Sequence, residues 1–186
     1  MPRPLVPAEH QPPLPRERLI IPGPASPEAI ELDVLFVGGG PASLSGAIHL
    51  AQLVKRDIEQ GGGLGELQIG VLEKGERLGD HCLSGAVVNP RAFRELFPEL
   101  KDADYPFGRP VTGEAVYLLR PRGALRLPTP PTMRNHGFYV ASLCEMVRWL
   151  GEKAEQLGVN LFAGYPAGSL LPELDTSLSI QTQVHL

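Results

Sequence analysis

Apolar positions along the chain change their period several times, and each change marks an element. Val34-Leu35-Phe36-Val37 is a short, continuous, partly β-branched run. It predicts a strand buried on both faces, as in a parallel sheet. Beyond Gly38-Gly39-Gly40, the apolar residues Leu44, Ala47, Ile48, Ala51, Val54 and Ile58 recur at helical spacing. That stripe predicts a helix from about Pro41 to Ile58 lying on the sheet. Gly61-Gly62-Gly63-Leu64-Gly65 ends it in a loop, and Leu67 to Leu72 predicts a second strand with Glu73 at its carboxyl end.

From Lys74 to Ala86 the chain is polar and punctuated by glycine, which predicts a loop. Asn89 and Pro90 suit the N-cap and first residue of a short helix whose apolar face is Ala92, Phe93, Leu96 and Phe97. That face, over Pro90–Phe97, is expected to enter a lipid headgroup boundary, with packing on the sheet as the rival. Val116–Leu119 and Leu125–Leu127, joined through Pro121-Arg122-Gly123, predict a β-hairpin in a second, antiparallel layer. Ser142-Leu143-Cys144-Glu145 reads as a capping box, and Leu143, Val147, Leu150, Ala154 and Leu157 as one helical face closed by Gly158. Val159 to Ala163 predicts a strand returning to the parallel sheet. A strand near Ser169–Leu171 then gives way to a polar, irregular tail over 173–186.

The glycine turn is where patterning meets chemistry. Strand, glycines and helix start in that order match a dinucleotide-binding fingerprint, with Gly38 at the tight turn and Gly40 where backbone approaches a pyrophosphate. Pro41 supplies the fixed φ of a first helical turn. Ser43 stands at the third glycine position, small enough for helix–strand packing. Free N–H groups at the helix start, including those of Ala42 and Ser43, would face the phosphates. An acid at the end of the second strand can accept from ribose hydroxyls, and its charge repels a 2′-phosphate. Glu73 lies 35 positions after Gly38 against roughly 20 in the compact motif, with the long helix and glycine loop absorbing the difference. The alternative is a plain βαβ unit with a surface glutamate.

Composition narrows the classes. A net charge of −4 with no basic stripe argues against nucleic acid as a partner, and no apolar run approaches the roughly 18 residues of a membrane span. Residues 1–31 hold nine of the 20 prolines and predict an extended, largely disordered leader without the apolar core of a secretory signal. The two cysteines, Cys82 and Cys144, provide no disulfide framework and suggest a reducing compartment. His81-Cys82 without further ligands is no metal site. Both cysteines read as packing, with activation at a helix start the alternative for Cys144.

Five blocks carry a resemblance in register: Gly38-Gly39-Gly40-Pro41-Ala42, Leu72-Glu73-Lys74-Gly75, His81-Cys82-Leu83-Ser84-Gly85-Ala86, Phe97-Pro98, and Asn135-His136-Gly137. With Val147-Arg148-Trp149-Leu150 they resemble electron transfer flavoprotein–ubiquinone oxidoreductase from about Leu32 to Gly164. The resemblance implies an FAD-dependent enzyme on the inner face of an energy-conserving membrane, bacterial or mitochondrial. Such an enzyme takes electrons from reduced electron transfer flavoprotein through FAD and a [4Fe–4S] cluster and passes them to ubiquinone. It implies a Rossmann-like FAD-binding domain over 32–90 and 140–172, with the start of a quinone-side domain over 91–139.

By the same resemblance Gly38, Gly40, Pro41, Ala42, Ser43, Glu73, Lys74, His81, Ser84 and Gly85 bind FAD. Lys74 would serve the adenosine end. His81 would either tune the flavin ring or stabilise its own loop. Asn135-His136-Gly137 would lie near the quinone or form a simple turn. Trp149 reads as packing against the second layer. The family's later glycine–aspartate segment and its four cluster cysteines have no counterpart here, so the chain resembles an N-terminal fragment, expected to be inactive alone. Other readings are a flavin monooxygenase or reductase of the same fold, and a noncatalytic nucleotide-binding fragment.

Overall fold

In a computed structural model, residues 28–172 and 178–182 are described. They fall into two compact units, one spanning Glu31–Tyr165 and the other including the segment from Pro166 onward. The proline-rich leader lies outside the described residues up to position 27, as does the tail at 173–177 and 183–186.

The Glu31–Tyr165 unit is built on a parallel sheet in the order β1 (Val34–Val37), β2 (Ile69–Glu73), β7 (Asn160–Ala163). Val34 pairs with Ile69 and Val37 with Leu72, while Gly70 pairs with Asn160 and Glu73 with Ala163. β2 is central and its first four residues are buried. β1 is not buried on both faces as its apolar run predicts: it lies at a sheet edge, its residues are only half-buried and Val37 is 54% exposed. Continuous burial belongs to the middle strand, which has a neighbour on each side as well as a helix above it.

Helix α1 (Pro41–Glu59) follows the glycine turn, and its predicted stripe is its buried face: Leu44, Ala47, Ile48, Ala51 and Val54. Gly46 lets α1 settle on β1, because a Cβ there would sit 2.9 Å from the Phe36 ring. Helix α3 (Leu143–Gln156) packs beside it through Val147, Leu150 and Ala154. Ser142 Oγ accepts from Glu145 N at 3.4 Å, which is the forward half of the expected box, and Gly158 takes the left-handed φ of +83° at the helix end.

Residues between β2 and α3 pack in the same unit. Ala86–Val88 (β3) and Tyr139–Ala141 (β6) form an antiparallel ribbon, and Val116–Arg120 (β4) with Gly123–Leu127 (β5) form the predicted hairpin. Helix α2 (Arg91–Leu96) starts one position later than expected, yet Asn89 Oδ1 accepts from Arg91 N at 3.0 Å as a cap would. Its apolar face is internal. Phe93 and Phe97 are 8% and 3% exposed and lie edge-on to Tyr105, Phe107 and Trp149, with centroids 5.0–5.8 Å apart. This corrects the headgroup reading of that face: its rings fill a core that Trp149 of α3 closes. Asp102 holds the outside of this cluster, accepting from Arg94 Nε at 2.9 Å and from the Tyr139 hydroxyl at 2.8 Å.

In the other unit, β8 (Ala167–Pro172) pairs antiparallel with β9 (Leu178–Thr182). The irregular tail therefore contains a strand. Leu178-Ser179-Ile180-Gln181 alternates apolar and polar positions, the period-two signal that marks one.

Candidate functional site

The site lies at the carboxyl end of β1 and β2, where two neighbouring strands deliver a glycine turn and a carboxylate. Gly38 has φ +104°, a conformation costly to any residue with a Cβ, and its N–H donates to Leu72 O at 2.7 Å. The turn is thus tied to the middle strand one residue before Glu73. Gly39 is buried: a Cβ there would lie 2.6 Å from Leu78 Cδ2 and 2.9 Å from Glu73 Cβ. Gly40 differs from both. It is the N-cap of α1 in extended geometry (φ −83°, ψ 175°), and a Cβ built on it meets nothing within 4 Å.

No side chain caps α1, no acid stands in its first turn, and Pro41 has no N–H to offer. The first-turn N–H groups, those of Ala42 and Ser43 among them, therefore face outward without intrahelical acceptors. The helix dipole adds partial positive charge at the same point. Open space beside Gly40, outward N–H groups and a small Ser43 form a cradle suited to a pyrophosphate.

Glu73 closes the other side. Its Oε2 accepts from Gly39 N at 2.8 Å and its Oε1 from Gly75 N at 2.7 Å. Each oxygen keeps a further lone pair for an outside hydroxyl. The backbone around it is fixed in turn: Tyr165 N donates to Glu73 O at 2.9 Å and Gly164 N to Gly75 O at 2.7 Å. His81 Nδ1 stands 3.8 Å from Glu73 Oε1, with its side chain 62% exposed. Lys74 is exposed and points its charge to solvent.

The loop after Glu73 is clamped to the first turns of α3. Gly79, at φ +85°, allows an approach in which a Cβ would lie 2.6 Å from Cys144 O. Arg148 Nε donates to Leu78 O at 3.3 Å and its Nη2 lies 3.6 Å from Asp80. Cys144 Sγ donates to Cys82 O at 3.2 Å. Burial first, then the neighbouring Cys144 and Glu73, hold the Cys82 thiol above its ordinary range.

Of the expected residues, the structure brings together Gly38, Gly40, Pro41, Ala42, Ser43, Glu73 and His81. Ser84 and Gly85 lie exposed at the far end of the loop, and among the described residues no hydrogen bond joins them to the glycine turn. Gly137 takes φ +85° and Phe138 N donates to Asn135 O at 2.9 Å, so Asn135-His136-Gly137 forms the simple turn. Sequence reasoning missed Gly39, Gly75 and Gly79. Their roles depend on Glu73, Leu78 and Cys144, neighbours that no local spacing announces.

No family model matches the chain. Among curated proteins it is 46% identical over 160 residues to the probable electron transfer flavoprotein–ubiquinone oxidoreductase of Acinetobacter baylyi, covering 83% of this chain and 27% of that protein. It is 43% identical to the mitochondrial enzyme of Dictyostelium discoideum, over 76% of this chain and 22% of the relative. The mitochondrial enzyme of Mus musculus matches at 41%, over 81% and 24%. The chain thus spans about a quarter of the length of these relatives.

Among solved structures, a geranylgeranyl bacteriochlorophyll reductase-like protein of Thermoplasma acidophilum matches with a TM-score of 0.53 and 20% identity, over 83% of this chain and 36% of that one. CtdE in complex with FAD matches at 0.51 and 18%, over 82% and 35%. These structural likenesses show the fold, an α/β arrangement shared with an FAD-binding protein. By sequence, the chain is similar to a segment of about a quarter of the electron transfer flavoprotein–ubiquinone oxidoreductases.

Proposed function

We infer that this chain carries the adenosine-side half of an FAD site within an electron-transfer oxidoreductase. The observation that carries this reading is the pairing of Glu73 with the glycine turn. The Glu73 carboxylate is held against Gly39 N at 2.8 Å, directly beside a helix start whose N–H groups face outward. Gly38 to Ser43 would hold the pyrophosphate through backbone N–H groups, and Glu73 would accept from the ribose. The carboxylate is already oriented by two backbone donors, so binding requires little reorganisation of the protein. Lys74, Ser84 and Gly85 are expected near the same cofactor by resemblance. FAD, when bound, supplies the redox chemistry, and this segment's part is to anchor and orient it.

The likeness to the ubiquinone oxidoreductases supports a whole protein that accepts electrons from reduced electron transfer flavoprotein and delivers them to ubiquinone from a membrane surface. A [4Fe–4S] cluster would need cysteines beyond Cys82 and Cys144. Among the described residues no helix is long and apolar enough to cross a membrane. Peripheral contact through α2 is unsupported, because Phe93 and Phe97 are internal. The β4–β5 hairpin is the better surface: Tyr117, Leu118, Leu119 and Leu125 are 46–79% exposed, and the exposed Arg120, Arg122 and Arg126 lie on the same hairpin. Apolar side chains flanked by arginines suit an anionic headgroup layer.

Gly40→Val tests the nucleotide site cleanly. Its backbone geometry is open to any residue and a Cβ there meets no protein atom within 4 Å, so the fold is retained at the modest cost of a poorer N-cap residue. The added methyls occupy the space assigned to the pyrophosphate. In equilibrium dialysis, ADP and FAD should bind the wild type and bind Gly40→Val at least about tenfold more weakly, with far-UV circular dichroism unchanged and Tm lowered by only a few degrees. Equal retention by the two proteins would place the nucleotide elsewhere.

A further inference from the structure

Cys82 and Cys144 are the only cysteines in the chain, 62 positions apart, yet the fold brings them to one contact. Cys144 lies in the first turn of α3 and its thiol donates to the backbone carbonyl of Cys82 at 3.2 Å, with Leu83 O at 3.6 Å. Cys82 in turn hangs on a tight turn, its N–H bonded to Gly79 O at 3.0 Å. Gly79 itself lies so close to α3 that a Cβ on it would be 3.1 Å from Cys144 Cα. The Cys144 thiol therefore rests against the backbone of Cys82 in a contact fixed on both sides, close enough for a rotation about the side-chain bonds to bring the two sulfurs together. Both are half-buried, so each keeps some exposure to a small oxidant. A metal site is unsupported, because among the described residues no three His, Cys, Asp or Glu side chains converge.

We propose that Cys82 and Cys144 form an oxidisable pair that closes to an intramolecular disulfide, pinning the loop after Glu73 to the start of α3. The oxidant is hydrogen peroxide. One thiolate attacks the O–O bond of the peroxide, giving a sulfenic acid and, after protonation of the leaving hydroxide, water. The second sulfur attacks the sulfenic sulfur. The S–S bond forms, the S–O bond breaks and a second water leaves with the thiol proton. Two thiols are oxidised and one peroxide is reduced to two waters. A reductant of the dithiol class reverses the change.

The bridge joins residues far apart in sequence, so it restricts the unfolded chain and stabilises the fold. It also removes the freedom of the loop that carries His81, Ser84 and Gly85, beside the carboxylate of Glu73. The inference does not depend on the nucleotide reading, since it rests on the contact of the Cys144 thiol with the Cys82 backbone and on the approach of Gly79 to α3.

The test is peptide mapping of the 186-residue protein after treatment with equimolar hydrogen peroxide, alkylation of remaining thiols and unreduced trypsin digestion. The expected product is a cross-linked pair, Leu78–Arg91 joined to Asn135–Arg148, two hydrogens lighter than the separate peptides and released by dithiothreitol. Oxidised protein should run as a monomer in denaturing gels and melt on the order of 5–10 °C higher than reduced protein. Cys82→Ser and Cys144→Ser should each abolish both the cross-link and the shift. Full alkylation of both cysteines after peroxide, sulfinic acid at either one, or bridges only between molecules would overturn the proposal.

Discussion

At the scale of single residues, neighbouring positions with the same side chain have different tasks. Gly38 is glycine for its backbone angle and Gly39 for the proximity of Leu78 and Glu73. Gly39→Ala forces a methyl to within 3 Å of both neighbours, and we expect a loss of about 1–3 kcal/mol in urea unfolding. Asp102 is a second residue with a checkable role. Hydrogen bonds from Arg94 and then Tyr139 hold its carboxyl down at about 2. A carboxyl lowered by folding contributes stability above its unfolded value, near 3.9, and that contribution is lost as pH falls toward 2. Wild-type protein should therefore lose stability between about pH 4 and 2 by more than Asp102→Asn does, as read from Tm against pH.

At the scale of elements, what is local in sequence was legible. The β1–glycine–α1 unit, the Ser142 start and Gly158 end of α3, and the β4–β5 hairpin all follow from residues within a few positions of one another. Contacts between distant segments were not. Ala86–Val88 and Tyr139–Ala141 are each three residues long, too short for any period, and become strands only by pairing with each other. The clamp between Gly79 and Cys144, and the space at Gly151 into which Leu78 fits, likewise have no local signature.

The destination of the α2 face depended on partners supplied by Tyr105, Phe107 and Trp149. It follows that Phe93→Ala should cost about 3–5 kcal/mol in chemical denaturation, as a core truncation does. Liposome co-sedimentation should instead respond to the hairpin. Leu119→Ser with Tyr117→Ser should reduce binding to anionic vesicles and leave Tm within about 2 °C, since the two side chains share one face of the hairpin and are 79% and 52% exposed. Unchanged sedimentation would remove the hairpin from consideration.

At the scale of the whole molecule, the proposed cofactor site and the thiol count lead to one expectation for these 186 residues. On the proposed reading, a cofactor anchored at Gly38–Ser43 and Glu73 is held chiefly at its adenosine end, which leaves its reactive ring poorly positioned by these residues alone. Two thiols supply half the ligands a [4Fe–4S] cluster usually takes. The isolated 186-residue protein should therefore hold no stoichiometric iron or sulfide and leave a ubiquinone analogue unreduced when given reduced electron transfer flavoprotein. Quinone reduction above the protein-free rate would contradict this. Its exposed hairpin and half-covered β1 should also make it self-associate at rising concentration, as light scattering would register.

The open space beside Gly40 has a consequence for selection. A Cβ at that position meets no atom of the folded protein within 4 Å, so a screen of random variants scored by folding would accept far more residues there than at Gly39. Scored by nucleotide retention, the same library should hold both constant. The two positions together separate pressure to fold from pressure to bind, and Gly40 is where a copy of this sequence released from binding would first show its history.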